Sequence, residues 1–449
     1  MDLRARIDAA PMSAYQWLIV GLCVVLNMLD GYDVMALAFT AKSIGNDFGL
    51  SSAQTGVLLS AGLVGMAIGA LVLAPLADKF GRRPLILSSV AMATVGMAMS
   101  ATAGSALQLG VWRVLTGLGV GGILACTNVI ASEYSSTRWR GLSIGLYTAG
   151  YGLGATLGGL AAVFLRDEYG WRAVFVCGAV LTGLALALLA LLLPESVDYL
   201  LTGGRRDVLG RVNRIAARIG QEPLSELPPA PAAGTPRAGR VADLFAGGNT
   251  RPTLLLWTAF FATMFGFYFI NSWTPALLET AGMSKDQSAT AGMMLALGGT
   301  LGSVIFGALA TRWTARTVLL VFTVLTAAAM AVFISSTSII GLAFVLGVVV
   351  GSLINGCIAG LYTLSPSLYE ARMRSTGVGW AIGVGRAGAI LAPTAAGRLL
   401  DAGWSAAQLY VAVAGVVLSA AVALVFLQRP VRPSAVIAVA PANPVSVTQ

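Results

Sequence analysis

A chain of 449 residues that is 57% hydrophobic and only 10% charged is too apolar for an ordinary soluble domain, where about a quarter of residues carry charge. Its net charge of +9 invites a nucleic-acid reading, which the placement of that charge excludes below. There is no histidine, so proton chemistry near neutral pH falls to carboxylates.

Twelve apolar segments follow one another at 17–39, 55–77, 84–103, 107–131, 142–164, 172–193, 254–276, 289–310, 317–335, 338–363, 377–398 and 406–427. Each is near the ~20 residues that cross a bilayer as a helix. Backbone groups in lipid must bond within their own segment, and the short alternating strands of a barrel are not seen. The predicted fold is therefore all-α and integral to the membrane, with twelve transmembrane helices in two six-helix bundles. Its expected parts are a cytoplasmic N-terminus (1–16), a first bundle (17–196), a cytoplasmic linker (197–250), a second bundle (251–428) and a disordered cytoplasmic tail (429–449). No small-residue cleavage site follows the first apolar run, which makes that run an uncleaved helix.

The first segment holds NMLDGYDVM, with Asp30 and Asp33 in otherwise lipid-compatible sequence. A carboxylate at the bilayer centre costs at least a few kcal/mol. Three residues apart on a helix, the two share a face. So close and poorly solvated, both cannot be comfortably ionised, and one is expected to hold a proton near neutral pH. Gly31 between them would let the helix loosen locally beside a cavity. The fourth segment carries Arg113, which either pairs permanently with an aspartate of the first or serves a ligand. The fifth carries Tyr147 and Tyr151. The linker begins with GGRRDVLGRVNRIAARIG, readable as a basic amphipathic helix on the inner membrane surface, and continues as a flexible PPAPAAGTPRAGR. The seventh segment, FGFYFINSW, offers Phe267, Tyr268, Asn271 and Trp273, and the tenth offers Asn355 and Tyr362. Rings with a few polar anchors suit an aromatic ligand, though such rings also face lipid or form interfacial belts. Arg386 falls in the middle of the eleventh segment, where its planar fork suits a carboxylate.

With both termini inside, 21 of the 28 basic residues lie on the inner side, and five (Lys42, Arg166, Arg172, Lys285, Arg398) lie in outer loops. The charge excess is thus topological, and no nucleic acid is called for. The four cysteines (Cys23, Cys126, Cys177, Cys357) are scattered singly without metal or disulfide spacing. With no histidine, metal set or nucleophile–base pair, the chain does not read as an enzyme, and no cofactor is expected. RWRGLSIG at 138 recurs as RMRSTGVG at 372, EYGWR at 168 as DAGWS at 401, and APLADKFGRR at 74 weakly as GALATRWTAR at 307, all at an offset of 233 or 234. Two related halves joined by an inner linker describe two parallel bundles with a pathway between them.

On these motifs the chain resembles the major facilitator superfamily over about 15–427. APLADKFGRR after the second segment matches the pattern G-x-x-x-D-[RK]-x-G-R-[RK] at Asp78, Lys79, Gly81, Arg82 and Arg83, with Ala74 for the first glycine. The resemblance implies a gating role for these residues, with Asp78 holding the bundles together through a helix N-terminus. EYSSTRWRG, with Glu133 and Arg140, and PES at 194 also fit it. GYGLGATLGG in the fifth segment is similar to an exchanger motif but has Ala155 in place of proline, which speaks against an antiporter. LDGYD together with Arg386 resembles the aromatic acid:H⁺ symporters. That likeness implies proton-coupled import of a benzoate-type, hydroxybenzoate or gentisate anion across the bacterial inner membrane by a monomer. Asp30, Asp33, Arg386 and Arg113 would then serve coupling and substrate, and the aromatic and amide residues above would line the substrate. The alternatives are another organic acid such as muconate, an exporting antiporter, and, remotely, a transceptor.

Overall fold

The structure is a computed structural model that describes residues 3–202, 208–226, 241–246, 248–336, 339–369 and 373–427. The expected tail and the PPAPAAGTPRAGR stretch lie outside these residues, as do the side chains of Ala74, Asp78 and Arg374.

The described elements are helical throughout. They run α1 (Leu3–Ala9), α2 (Ala14–Phe48), α3 (Ser52–Phe80), α4 (Arg82–Ala101), α5 (Ala106–Glu133), α6 (Arg140–Tyr169) and α7 (Trp171–Leu192). Then come α8 (Val197–Thr202), α9 (Val208–Arg218), α10 (Thr250–Thr280), α11 (Lys285–Ala310), α12 (Ala315–Phe333), α13 (Ile340–Leu364), α14 (Arg374–Asp401) and α15 (Ala406–Phe426). Eleven are long and apolar enough to cross a membrane. The twelfth span is α14, with 28 residues and three arginines.

Several helices outrun the apolar segments because their ends are capped. Ser13 with Gln16, Ser51 with Gln54, Ser284 with Gln287 and Ser405 with Gln408 form capping boxes that start α2, α3, α11 and α15. Each satisfies two N–H groups that a helix start otherwise leaves without partners. At 35 residues, α2 is roughly 52 Å long at 1.5 Å per residue, well beyond the hydrocarbon layer.

The halves pack by one scheme. In the first, α2 lies on α6, α3 on α5 and α4 on α7; in the second, α10 lies on α14, α11 on α13 and α12 on α15. Small residues permit these approaches. A methyl placed on Gly65 of α3 would fall 2.1 Å from the Val114 carbonyl oxygen of α5, and one on Gly302 of α11 would fall 1.8 Å from that of Ser352 on α13. The halves meet through α3 with α14, α6 with α11 and α2 with α10.

Two short helices cover one end of the first half, called here the linker face. Leu3 and Ile7 of α1 are buried, as are Val208, Val212, Ile215 and Ala216 of α9, all in one cluster with Leu189 of α7 and Leu193 just after it. The expected basic amphipathic helix thus forms, but it lays its apolar face on protein rather than on a lipid surface. That packing takes the apolar face out of water and fixes α9 to the first half.

Candidate functional site

Asp33 and Arg113 bind each other. Arg113, from α5, donates through both terminal nitrogens to the two carboxylate oxygens of Asp33 at 2.6 Å. Both residues are buried, and the guanidinium carbon lies 5.7 Å from the centre of the Phe175 ring. A fork-to-fork pair of this kind is the arrangement that offsets the cost of two desolvated charges. Asp30, one turn earlier, is equally buried, and its Oδ1 has no hydrogen-bond partner among the described residues. A cavity of about 10 Å³ between α2, α4, α5 and α7 is bordered by Asp30, Asp33, Met97, Thr116 and Thr182, space for roughly one water molecule.

Gly31 does not loosen the helix as expected, because α2 is continuous from Ala14 to Phe48. Its role is contact. A methyl there would fall 2.0 Å from the Tyr151 carbonyl oxygen and 2.9 Å from the Ala155 nitrogen of α6. The missing side chain lets α6 press against α2 at the level of Asp30.

Arg386, on α14, lies across from these carboxylates. It donates to the Tyr268 hydroxyl at 3.1 Å and approaches the Met66 sulfur of α3 at 3.0 Å, and it has no carboxylate at ion-pair distance among the described residues. Asp30, Tyr151, Tyr268 and Tyr362 all lie within its electrostatic reach. The Tyr268 and Phe267 rings meet edge to face at 5.1 Å, and Phe267 meets Tyr151 at 6.2 Å across the two halves. Tyr147 borders the same region, its hydroxyl 3.0 Å from that of Thr127. Tyr362 is 43% exposed and packs edge to face on Phe260.

The remaining expected lining residues are engaged elsewhere. Trp273 donates to the Pro393 carbonyl at 3.0 Å, Asn271 to Phe267 of its own helix at 2.8 Å, and Asn355 to Gly351 of its own helix at 3.0 Å. The residues expected to gate form a network inside the first half at the linker face. Gly81 takes a φ of 108° between α3 and α4, which L side chains rarely adopt. There Glu195 accepts the backbone N–H of Arg82 at 2.8 Å and of Arg83 at 3.0 Å, capping α4. Arg82 pairs with Glu133, which also accepts from Ser196 at 2.7 Å; Arg140 pairs with Asp8 of α1. Lys79 lies 5.4 Å over the Phe80 ring. The expected role of Asp78 lies outside the described residues.

Two groups at the distal face, opposite the linker face, were not read from the sequence. Arg166 and Lys42, assigned above to outer loops, belong to α6 and α2. Both reach Glu279 of α10, at 3.5 and 3.2 Å, and Arg166 also donates to the Phe39 carbonyl at 3.1 Å. The Asp401 carboxylate accepts from the backbone N–H groups of Ser52 at 2.8 Å and Ala53 at 2.9 Å, so the end of α14 caps the start of α3. Below it, Ser60 donates to the Ile390 carbonyl at 2.7 Å. These contacts close the distal face between the halves. Single charges near segment ends look like ordinary loop charges, so the sequence alone does not reveal this pattern.

Residues 23–364 and 256–449 match the family profile described as Major Facilitator Superfamily. The chain is similar to the 4-hydroxybenzoate transporter PcaK of Pseudomonas aeruginosa, with 34% identity over 415 residues covering 92% of each chain. It is also similar to a gallate transporter of Pseudomonas putida, with 31% identity over 90% of each chain. Among solved structures, the crystal structure of a D-xylose–proton symporter superimposes with a TM-score of 0.72 at 16% identity, covering 92% of this chain and 98% of that one.

Proposed function

The chain belongs to the major facilitator superfamily, a transporter family, and from that premise we propose that it imports an aromatic carboxylate together with protons by alternating access. The observation that carries this reading is the division of labour among four charges. Arg113 is consumed by Asp33, whereas Arg386 has no carboxylate partner and Asp30 has a carboxylate oxygen without a partner, among the described residues. A ligand carboxylate on Arg386 would supply the missing anion, and a proton on Asp30 would remove the charge that burial penalises. Rings from both halves flank that point. The relatives' named cargoes, 4-hydroxybenzoate and gallate, are aromatic acids of this kind.

In this cycle a proton reaches Asp30 and the anion docks on Arg386. The halves rock about the fixed site, opening the distal face or the linker face in turn. The linker face is assigned to the cytoplasm of a bacterial inner membrane because Arg82, Arg83, Arg140, Arg211, Arg214 and Arg218 gather there. The transporting unit is assigned as a monomer. One proton per monoanion makes the cycle electroneutral; a second would add about 2.3 kcal/mol per 100 mV.

The test is uptake of labelled 4-hydroxybenzoate, benzoate and muconate at two external pH values, in cells expressing the chain, Asp30→Asn or Arg386→Lys. Acid-stimulated accumulation of an aromatic acid, abolished in both variants, is the expected result. Uptake indifferent to pH that survives both substitutions overturns it.

A further inference from the structure

The hydroxyl oxygen of Tyr151 is buried and has no hydrogen-bond partner among the described residues. Other buried tyrosines are satisfied: Tyr32 donates to the Val174 carbonyl at 2.7 Å, Tyr134 to that of Glu195 at 2.6 Å, and Tyr268 takes its bond from Arg386. Leaving such a group unpaired is costly, whereas pairing it gains only modestly.

The backbone fixes Tyr151 where it is. Its carbonyl abuts Gly31 of α2, and the neighbouring Gly152 abuts Thr300 of α11, so neither flank of α6 has room to move. The side chain contributes to the ring contact between the halves, which links Tyr151 through Phe267 and Tyr268 to Arg386. The residue whose hydroxyl has no partner among the described residues therefore stands at one end of an aromatic row whose other end is the cation. An aromatic acid laid along that row presents its carboxylate to Arg386 and its far ring substituent to Tyr151.

We propose that Tyr151 is a specificity-determining residue that selects ring-hydroxylated aromatic acids over unsubstituted ones. Its hydroxyl exchanges a hydrogen bond with the ligand's ring hydroxyl when the row opens to admit the ring. The assignment rests on the transport reading above. A bare benzoate leaves the phenol as it stands here, and a ligand that cannot answer a built hydrogen-bonding group is rejected more strongly than one lacking only apolar surface.

The experiment is competition against labelled 4-hydroxybenzoate uptake by benzoate, 4-methylbenzoate and 4-hydroxybenzoate, in the full chain and in Tyr151→Phe. The unsubstituted chain is expected to favour the hydroxyl over the methyl compound by about tenfold or more, and Tyr151→Phe to shrink that preference roughly three- to tenfold. Equal preference for the methyl and hydroxyl compounds in the unsubstituted chain overturns the proposal without any variant, should Tyr151→Phe fail to reach the membrane. A preference that Tyr151→Phe leaves unchanged also overturns it while leaving the transport reading standing. Failure of the unsubstituted chain to take up any aromatic acid defeats the transport reading, and this assignment with it.

Discussion

Asp30 and Asp33 are chemically identical and three residues apart, yet the structure gives them different surroundings. Asp33 holds Arg113 in a two-bond pair inside the first half, and its removal strands a buried cation. Breaking such a pair from one side costs about 3–5 kcal/mol, whereas removing both partners costs far less. Asp33→Ala and Arg113→Ala are therefore each expected to lower the melting temperature in detergent sharply. The double variant is expected to melt above either single one; a double variant that melts lowest would show the pair is not the stabilising unit. Asp30→Asn is expected to melt at or above the unsubstituted chain, because it neutralises a buried carboxylate whose Oδ1 has no partner. It should lose acid-driven accumulation all the same, separating coupling from stability. The sequence made both aspartates and Arg386 conspicuous, since charge in an apolar run must be answered by something. It left the pairing of Arg113 open, because choosing between two carboxylates one turn apart requires the rotation of α5 against α2.

At the scale of helices, hydrophobicity located all twelve spans, but their ends were set by side chains that hydropathy ignores. Four Ser-x-x-Gln boxes and the glycine at position 81 decide where helices begin and stop. The linker helix α9 was readable from its periodicity, yet its partner surface was not, because an amphipathic face is equally ready to meet lipid or protein. Gly31 shows the same limit more sharply. A glycine between two acidic residues reads as flexibility, and only the position of α6 reveals it as a seat for the Tyr151 carbonyl. Gly31→Ala places a methyl where it must push α6 away from α2, a main-chain clash that no rotamer relieves. The expected cost is about 1–3 kcal/mol, with transport impaired beyond the loss of folded protein. The check is transport per folded molecule, with folded protein counted from the size-exclusion peak of the detergent-extracted chain; unchanged specific transport would show the α2–α6 contact does not hold the site.

For the whole molecule, the contacts that close the distal face are those that the proposed transport cycle must break once per turn. Asp401 caps α3 from the other half, Ser60 and Ile390 seal the seam beneath it, and Glu279 gathers Lys42 and Arg166 on the other side. A cap of this kind favours closure in proportion to its charge. The Asp401 carboxyl sits below its ordinary value of 3.8 because the Ala53 backbone N–H, and after it groups of Ser51 and Ser52, hydrogen-bond the ionised form. A depressed carboxyl stabilises the contact above its ordinary value and loses that contribution only as pH falls through the lower one. From about pH 7 to about pH 5 the cap therefore stays charged, and the acid stimulation expected of the proposed cycle must originate elsewhere. The check uses a membrane-impermeant maleimide on Ser60→Cys, whose side chain lies buried in the seam. Adding Asp401→Asn or Glu279→Gln is expected to raise its labelling from the distal side several-fold while leaving the pH dependence of uptake unchanged in shape. Labelling that ignores both substitutions would place the closing energy in the packing of α3 on α14 alone. A pH profile altered by Asp401→Asn would make the cap part of the proton cycle, against the sign of its shift.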